Sequence, residues 1–316
     1  DENKFVSDDS DYVVAYKADG KLVLKKNPNP SVPEPEHKHC ICGLSADTKE
    51  TVKGHDKHTE MTFDPWLASD SLPETSGAYY LTQNVTLNAT WQPPADTVLC
   101  LNGKTITYNG KALAVTGGTV TITDCAKSWK AGTIAATAET ANIANGATLI
   151  LYRGKLAGKG GIDVNGAFEM YGGTVTDSTN SGVRLNNNAA FTMNGGTITG
   201  NSTSQHGAGV YVTSGTFTMN GGEITENSIA GGGVFLRGWD SDPAGSSKFI
   251  MRGGRITGNT SNVLMGGRDY DTGAGVYVAA SGYFYLDKDP DTDIIITGNT
   301  KKSNGAARNV YLGPTK

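Results

Sequence analysis

From about Gly160 onward, apolar and polar positions alternate in short runs, and the runs recur as one phrase. It reads FEMYGGTVTDS at 168–178, FTMNGGTITGN at 191–201, FTMNGGEITEN at 217–227 and FIMRGGRITGN at 249–259, with a worn copy ending IIITGN at 294–299. Ahead of each copy stands a second run: GIDV (161–164), GVRL (182–185), GVYV (209–212), GVFL (233–236) and GVYV (275–278), with NVYL (309–312) as the last. Alternation over so few residues predicts strands and not helices. The Gly-Gly pairs begin at Gly172, Gly195, Gly221 and Gly253, so they are 23, 26 and 32 residues apart. The phrase is constant while the connections vary. Glycine pairs between the runs fit tight corners, where a Cβ would clash.

Three strands per repeat of about 24 residues predict an all-β chain folded as a right-handed parallel β-helix, each turn stacked on the next at the ~4.8 Å strand spacing. Inward Val, Phe, Met and Ile of successive turns then form a continuous core. Upstream the pattern is looser: LAV (113–115), VTI (120–122), GTI (132–134), LIL (149–151) and GKL (154–156). Counting first strands from Leu113 to Leu312 gives about eight turns, a rod of roughly 34 Å. YYLTQNVTL (79–87) and VLCLNGKTITY (98–108) read as the strands that start the solenoid, and the segment around 60–95 as the cover of its end. Asn201, Asn227, Asn259 and Asn299 close successive phrases at one corner. A ladder of their amides would bridge backbone groups from turn to turn and tolerate left-handed geometry. At the start, YVVAYKADGKLVLKK (12–26) reads as a hairpin turning at 18–20, and NPNPSVPEPE (27–36) as a Pro-rich linker. The expected organisation is a hairpin and linker (1–36), a small Cys/His element (37–66) and the β-helix (67–316).

Composition narrows the function. The 316 residues carry 27 Lys+Arg against 31 Asp+Glu, a formal charge of −4, without the basic excess of a nucleic-acid binder. No apolar run approaches the ~18 residues of a membrane helix, so no membrane insertion is expected within this chain. With 42 Gly but only 11 Pro the chain is not collagen-like, and four Cys are too few to staple a fold of this size. It begins at Asp1 without an initiator Met, which reads as a processed or excised piece, expected to be monomeric.

The densest chemistry is HKHCICG (37–43) followed by GHDKH (54–58), which together hold four of the five histidines and two of the four cysteines. The spacing C-x-C-x12-H-x2-H predicts a structural zinc held by Cys40, Cys42, His55 and His58, with His37 and His39 competing for a place. The segment has few apolar residues, so a metal would provide its folding energy. The alternative is a solvated His-rich linker. Four protein ligands leave no open position for catalysis. Cys100 and Cys125 are 25 residues apart, about one turn, and fit either a disulfide or a pair of buried thiols.

A second feature lies on the first strand of each turn, whose outward residues are Asp163, Arg184, Tyr211, Phe235, Tyr277 and Tyr311. The run Tyr211, Phe235, Tyr277 and Tyr311 predicts an aromatic ladder facing solvent, able to stack on sugars or take a partner's apolar groups. The alternative is that the rings stack on one another and stiffen the sheet. Three insertions, 237–247, 260–273 and 287–293, leave from different corners and so do not line one cleft. Asp287, Asp289, Asp291 and Asp293 alternate like the start of a calcium loop but lack its Gly and distal Glu, which leaves calcium open. LPETSG (72–77) lacks the apolar stretch and basic tail of an anchor signal. Glycoside hydrolysis needs two close carboxylates. The first-strand face offers only Asp163 and the middle-strand face only Glu169, so no catalytic set is expected. An enzyme acting on polysaccharide through Asp163, Asp240 or Asp242 with Arg184 or Arg237 is the rival reading, and a bare spacer a third.

The phrase GV-x-V…F-x-M-x-GG-x-IT-x-N, following H-x-C-x-C-G and H-x-x-H, resembles the large repeat proteins of Gram-positive anaerobic bacteria over about residues 37–316. Those are surface proteins with right-handed β-helices, often labelled adhesin-like. The resemblance implies an extracellular, cell-attached module; the aromatic ladder without a catalytic pair adds the expectation of a binding or adhesion module whose partners are glycans or host or neighbour surface proteins. The resemblance implies no catalytic set, since fold does not fix function.

Overall fold

The computed structural model describes residues 12–16, 21–26, 36–43, 58–203, 207–228, 232–238, 246–261, 264–265, 268–269, 273–279 and 281–312. The chain divides into two units, Asp1–Lys38 and His39–Lys316. In the first, Tyr12–Tyr16 pairs antiparallel with Leu22–Lys26, the expected hairpin; its turn at 18–20 lies outside the described residues.

The second unit is a parallel β-helix. Its strands stack into three long sheets of eleven, nine and eight strands. The eight-stranded sheet runs from Leu113–Val115 to Val310–Leu312 and holds one strand per turn, the eight turns counted from the repeat. Apart from a 3₁₀ turn at Ser128–Lys130, the described residues contain no helix, and none long and apolar enough to cross a membrane.

Parallel pairing sets like upon like. Phe168, Phe191, Phe217, Phe249 and Phe284 lie in register on consecutive turns. Their rings stack at 4.9, 4.8, 4.7 and 5.0 Å with planes within 13° of parallel. Met170, Met193, Met219 and Met251 form the next column along the same strands, and Val175, Ile198, Ile224 and Ile256 line another wall, all buried. Turns approach closely because glycine occupies the corners: a Cβ on Gly222, whose φ is +84°, would stand 2.7 Å from the Gly196 carbonyl oxygen of the turn before. Toward the last described turn the interior thins, with Phe284 half-buried and Leu286 and Leu312 exposed.

The asparagine ladder is present and fully buried. The Oδ1 of Asn227 accepts the backbone N–H of Asn201 at 3.2 Å and its Nδ2–H at 3.0 Å. The Nδ2 of Asn227 donates to the carbonyls of Ile198 and Thr225 and to Asn259 Oδ1. The same pattern repeats at Asn259 and Asn299, and Asn309 receives the last amide. The left-handed residue is not the asparagine but the one before it: Gly200, Glu226, Gly258 and Gly298 have φ between 57° and 66°. The asparagine keeps ordinary backbone so that its amide can point into the corner.

The segment 60–95, expected as the cover of the end, contributes strands to the solenoid wall itself. Glu60–Trp66 and Ala78–Leu81 are parallel strands of the eleven-stranded sheet, the first paired with the second and the second with Thr97–Cys100. The solenoid therefore starts earlier than the repeat phrase.

Two substitutions test the columns. Phe217→Ala opens a cavity between two stacked rings and is expected to destabilise by about 3–5 kcal/mol. Asn227→Ala strands several buried polar groups at about 1–3 kcal/mol each. Urea denaturation should therefore place both midpoints well below that of the parent, with the small polar deletion costing no less than the loss of a ring.

Candidate functional site: a metal centre and an aromatic wall

Along the strand His37–Cys40 the period of two turns His39 and Cys40 to opposite faces, and both are buried. Past Cys40 the chain turns sharply, with the Gly43 N–H donating to the Cys40 carbonyl at 2.8 Å. Gly43 has φ +77°, and a Cβ there would strike the Asp124 carbonyl oxygen at 2.2 Å, so the turn lies directly on an early coil of the solenoid. Arg153 holds it from the other side: Nη1 donates to the Gly43 carbonyl at 3.0 Å and Nη2 to the Ala126 carbonyl at 3.3 Å.

This turn buries Cys40 and Cys42 completely. The Cys42 N–H donates to Cys40 Sγ at 3.4 Å, and Cys42 Sγ lies 3.1 Å from His58 Nδ1. One ligand atom from each of Cys40, Cys42 and His58 falls within 4.8 Å of the others. Thiolate and imidazole ligands of one tetrahedral ion stand about 3.3–3.8 Å apart, so the donor set and its spacing fit a metal ion. Three of the four ligands expected from the spacing are thus brought together; His55 lies outside the described residues.

Two tyrosines that the sequence reading missed belong to the same neighbourhood. Tyr152 and Tyr171 stack at 4.8 Å, and the Tyr171 hydroxyl donates to Glu169 Oε2 at 3.0 Å. Burial, then the negative charge of Cys42 and Cys40, raises the Tyr152 phenol. Burial and Glu169 push Tyr171 up to about 12. The signal was the register, since each tyrosine directly follows one of the paired residues Leu151 and Met170.

Cys100 and Cys125 face each other without a disulfide, Sγ to Sγ 3.6 Å. Burial, then the Cys125 thiol, pushes Cys100 well above the usual thiol range. The acidic insertion is dispersed: Asp287 pairs with Arg252 at 3.0 Å, Asp293 with Lys288 at 3.8 Å, and Asp289 Oδ1 accepts the Asp291 N–H. His206, Asp240 and Asp242 lie outside the described residues.

On the eight-stranded wall Asp163, Arg184, Tyr211, Phe235, Tyr277 and Tyr311 stand in register on successive turns. Tyr211 meets Phe235 edge-on at 5.6 Å, while Phe235, Tyr277 and Tyr311 stack face to face at 4.5 and 5.1 Å. The ladder therefore differs from four rings open to solvent. Phe235 is only 8% exposed, because its faces are covered by its neighbours and the chain at Gly207 passes over its Cβ. Tyr211, Tyr277 and Tyr311 remain half-buried. Burial, then Tyr311, raises the Tyr277 phenol. Below the ladder, Arg184 clasps Asp163 through two hydrogen bonds, Nε to Oδ1 at 2.7 Å and Nη2 to Oδ2 at 2.6 Å.

Gly43→Ala places a Cβ into a backbone carbonyl at positive φ, whereas Gly146, also at φ +77°, has nothing within 4 Å of such a Cβ. Gly146→Ala should cost only the left-handed backbone penalty of about 1–2 kcal/mol. Thermal unfolding should rank Gly43→Ala clearly below it, and Gly43→Ala should also retain less bound metal after desalting.

No protein-family model matches this chain, and no curated protein and no solved structure matches it.

Proposed function

We propose that this chain is an extracellular β-helical binding module of a bacterial surface protein, which captures glycans or host or neighbouring-cell surfaces along its aromatic wall. The observation that carries this reading is the unbroken register of Tyr211, Phe235, Tyr277 and Tyr311 on one face of a rigid solenoid. Phe235, Tyr277 and Tyr311 use their π-faces on one another, so a ligand meets ring edges and tyrosine hydroxyls, those of Tyr277 and Tyr311 on adjacent turns and that of Tyr211 set apart from them by Phe235. Such a row suits a ligand with repeating hydroxyls, as in a polysaccharide, better than a single sugar lying flat on a ring.

The rival enzymatic reading has less support. The Asp163 carboxylate accepts two hydrogen bonds from Arg184, and Glu169 accepts one from Tyr171. Both carboxylates thus serve as acceptors in fixed pairs, a different use from the two cooperating carboxyl groups of hydrolysis.

In the same reading Cys40, Cys42 and His58, with His55, hold a structural zinc. The burial of both thiols and the clamp by Gly43 and Arg153 support a closed, non-catalytic site that fixes the segment before the solenoid.

The wall is tested with Tyr211→Phe, Tyr277→Phe and Tyr311→Phe combined, which keeps the stack and removes the hydroxyls. On an array of mucin and plant glycans the triple variant should lose about tenfold or more in affinity, three hydrogen bonds at ~0.5–1.5 kcal/mol each. Equal binding by parent and variant would remove this wall as the ligand surface. A parent chain that binds no glycan and no cell surface would leave the spacer reading. For the zinc, Cys40→Ser with Cys42→Ser should release about one equivalent of zinc by elemental analysis; unchanged zinc content would reject that centre.

A further inference from the structure

Cys100 ends the strand Thr97–Cys100 and pairs in register with Thr123 on the next turn, so Cys125, two residues further on, reaches back across one coil. The corner between them is pinned by the buried Asp124 carboxylate. Its Oδ1 accepts the N–H groups of Gly103 at 2.8 Å and Ala126 at 3.3 Å, and its Oδ2 accepts that of Gly132 at 2.7 Å. The two sulfurs are thus held by a stiff frame at 3.6 Å. Bonded sulfurs lie about 2.05 Å apart, whereas two thiolates on one tetrahedral ion with ~2.3 Å bonds lie about 3.8 Å apart. The observed separation is that of two thiols in hydrogen-bonding contact, far from the first value and only about 0.2 Å short of the second, so a cation could enter with little movement.

A third ligand atom is already present. One nitrogen of His39 lies within 4.8 Å of both sulfurs. Its Nδ1 is 2.6 Å from the Cys40 carbonyl, which can only accept, so Nδ1 carries the proton and Nε2 the lone pair. Metal-binding histidines are oriented by this kind of backbone hydrogen bond. Phe63 stacks on the imidazole at 4.2 Å and 20°, fixing its plane. Phe63, Tyr80 and Cys100 form a small apolar cluster apart from the main core, with Cys125 packed on it, so the group is largely dry. As a thiol Cys125 donates to Asn102 Oδ1 at 3.4 Å, and this is the proton it gives up when it takes a cation.

We infer that His39, Cys100 and Cys125 form a second metal site for a thiophilic cation such as Zn(II), distinct from the Cys40–Cys42–His58 group on the opposite face of the same strand. All four cysteines of the chain then serve two cation sites on either side of one strand. This inference goes beyond the binding function and does not depend on the first zinc being present.

The test uses the full chain, purified reduced, loaded with Zn(II) and desalted, with metal counted by mass spectrometry and Co(II) substitution read by sulfur-to-cobalt absorption. The parent should hold about two ions, and Cys40→Ser with Cys42→Ser about one, still with a two-thiolate cobalt spectrum. In that background His39→Gln should weaken the remaining ion at least about tenfold. A folded Cys40→Ser/Cys42→Ser chain that holds no ion would overturn the second site, whatever the parent binds. Failure of the first site looks different: the ion count would fall with Cys100→Ser/Cys125→Ser and not with Cys40→Ser/Cys42→Ser. Because the Cys100 variants risk misfolding, alkylation of Cys100 and Cys125 in the Cys40→Ser/Cys42→Ser chain gives a second readout. Zn(II) should slow it markedly, and equal rates with and without Zn(II) would overturn the proposal. So would an intact mass two hydrogens short with no bound ion, the mark of a disulfide.

Discussion

In-register parallel stacking is the constraint on which this structure rests: each side chain lies above its counterpart one coil away, at the spacing of hydrogen-bonded strands. Only residues that gain by standing on their own kind can fill such columns. Phenylalanine gains ring stacking and burial, and asparagine gains an amide that donates forward and accepts from behind. Like charges would repel in the same place, so charged positions on the walls meet opposites across the coils. Asp163 faces Arg184, and Glu223 stands in register with Arg255. The repeat is thus a consequence of column chemistry, and the varied loop lengths show how little the columns ask of the connections between them.

The same rule shapes the outer surface. Phe235, Tyr277 and Tyr311 stack on one another along the wall, so the faces they share are closed to a ligand. What remains for recognition is a ribbon of edges and hydroxyls with a fixed repeat. That favours long ligands whose own groups repeat over compact ones that need a deep pocket. It also explains why the insertions are not needed for this reading, since they leave from separate corners while the ladder is continuous.

How legible each part was follows from the distance over which its residues act. The core was legible because a column's members announce themselves by identity at a constant place in the phrase, as with Phe168 to Phe249. The Asn corner was legible in its bonds but misread in its backbone, because the left-handed residue is its predecessor, even where that predecessor is Glu226. Ala78–Leu81 was legible as a starting strand in the run at 79–87, whereas Glu60–Trp66 carries no copy of the phrase and shows itself as part of the wall only by pairing with Ala78–Leu81. For the thiol centre, Cys40, Cys42 and His58 were legible from spacing. Arg153 and the steric demand at Gly43 were not, since they depend on a contact across 110 positions of chain.

The placement of the thiol clusters follows from where the column rule weakens. From Phe168 onward each coil has a stacked ring at its centre, and the repeat supplies its own register. In the early coils that ladder is missing, and Leu81, Leu99 and Leu101 fill the interior without a partner of the same kind at every level. Aliphatic contacts are strong but non-directional, and they fix the depth of burial better than the alignment of one coil on the next. Where the later coils have the asparagine ladder, the early ones have other directional groups: Asp124 binding three amide groups, Arg153 bridging two carbonyls, and cysteine and histidine on both faces of the strand that ends at Cys40. Metal ligation is the most directional of these, with bond lengths and angles set by the ion. The early coils thus take from polar and metal-binding geometry the alignment that later coils obtain by repeating themselves.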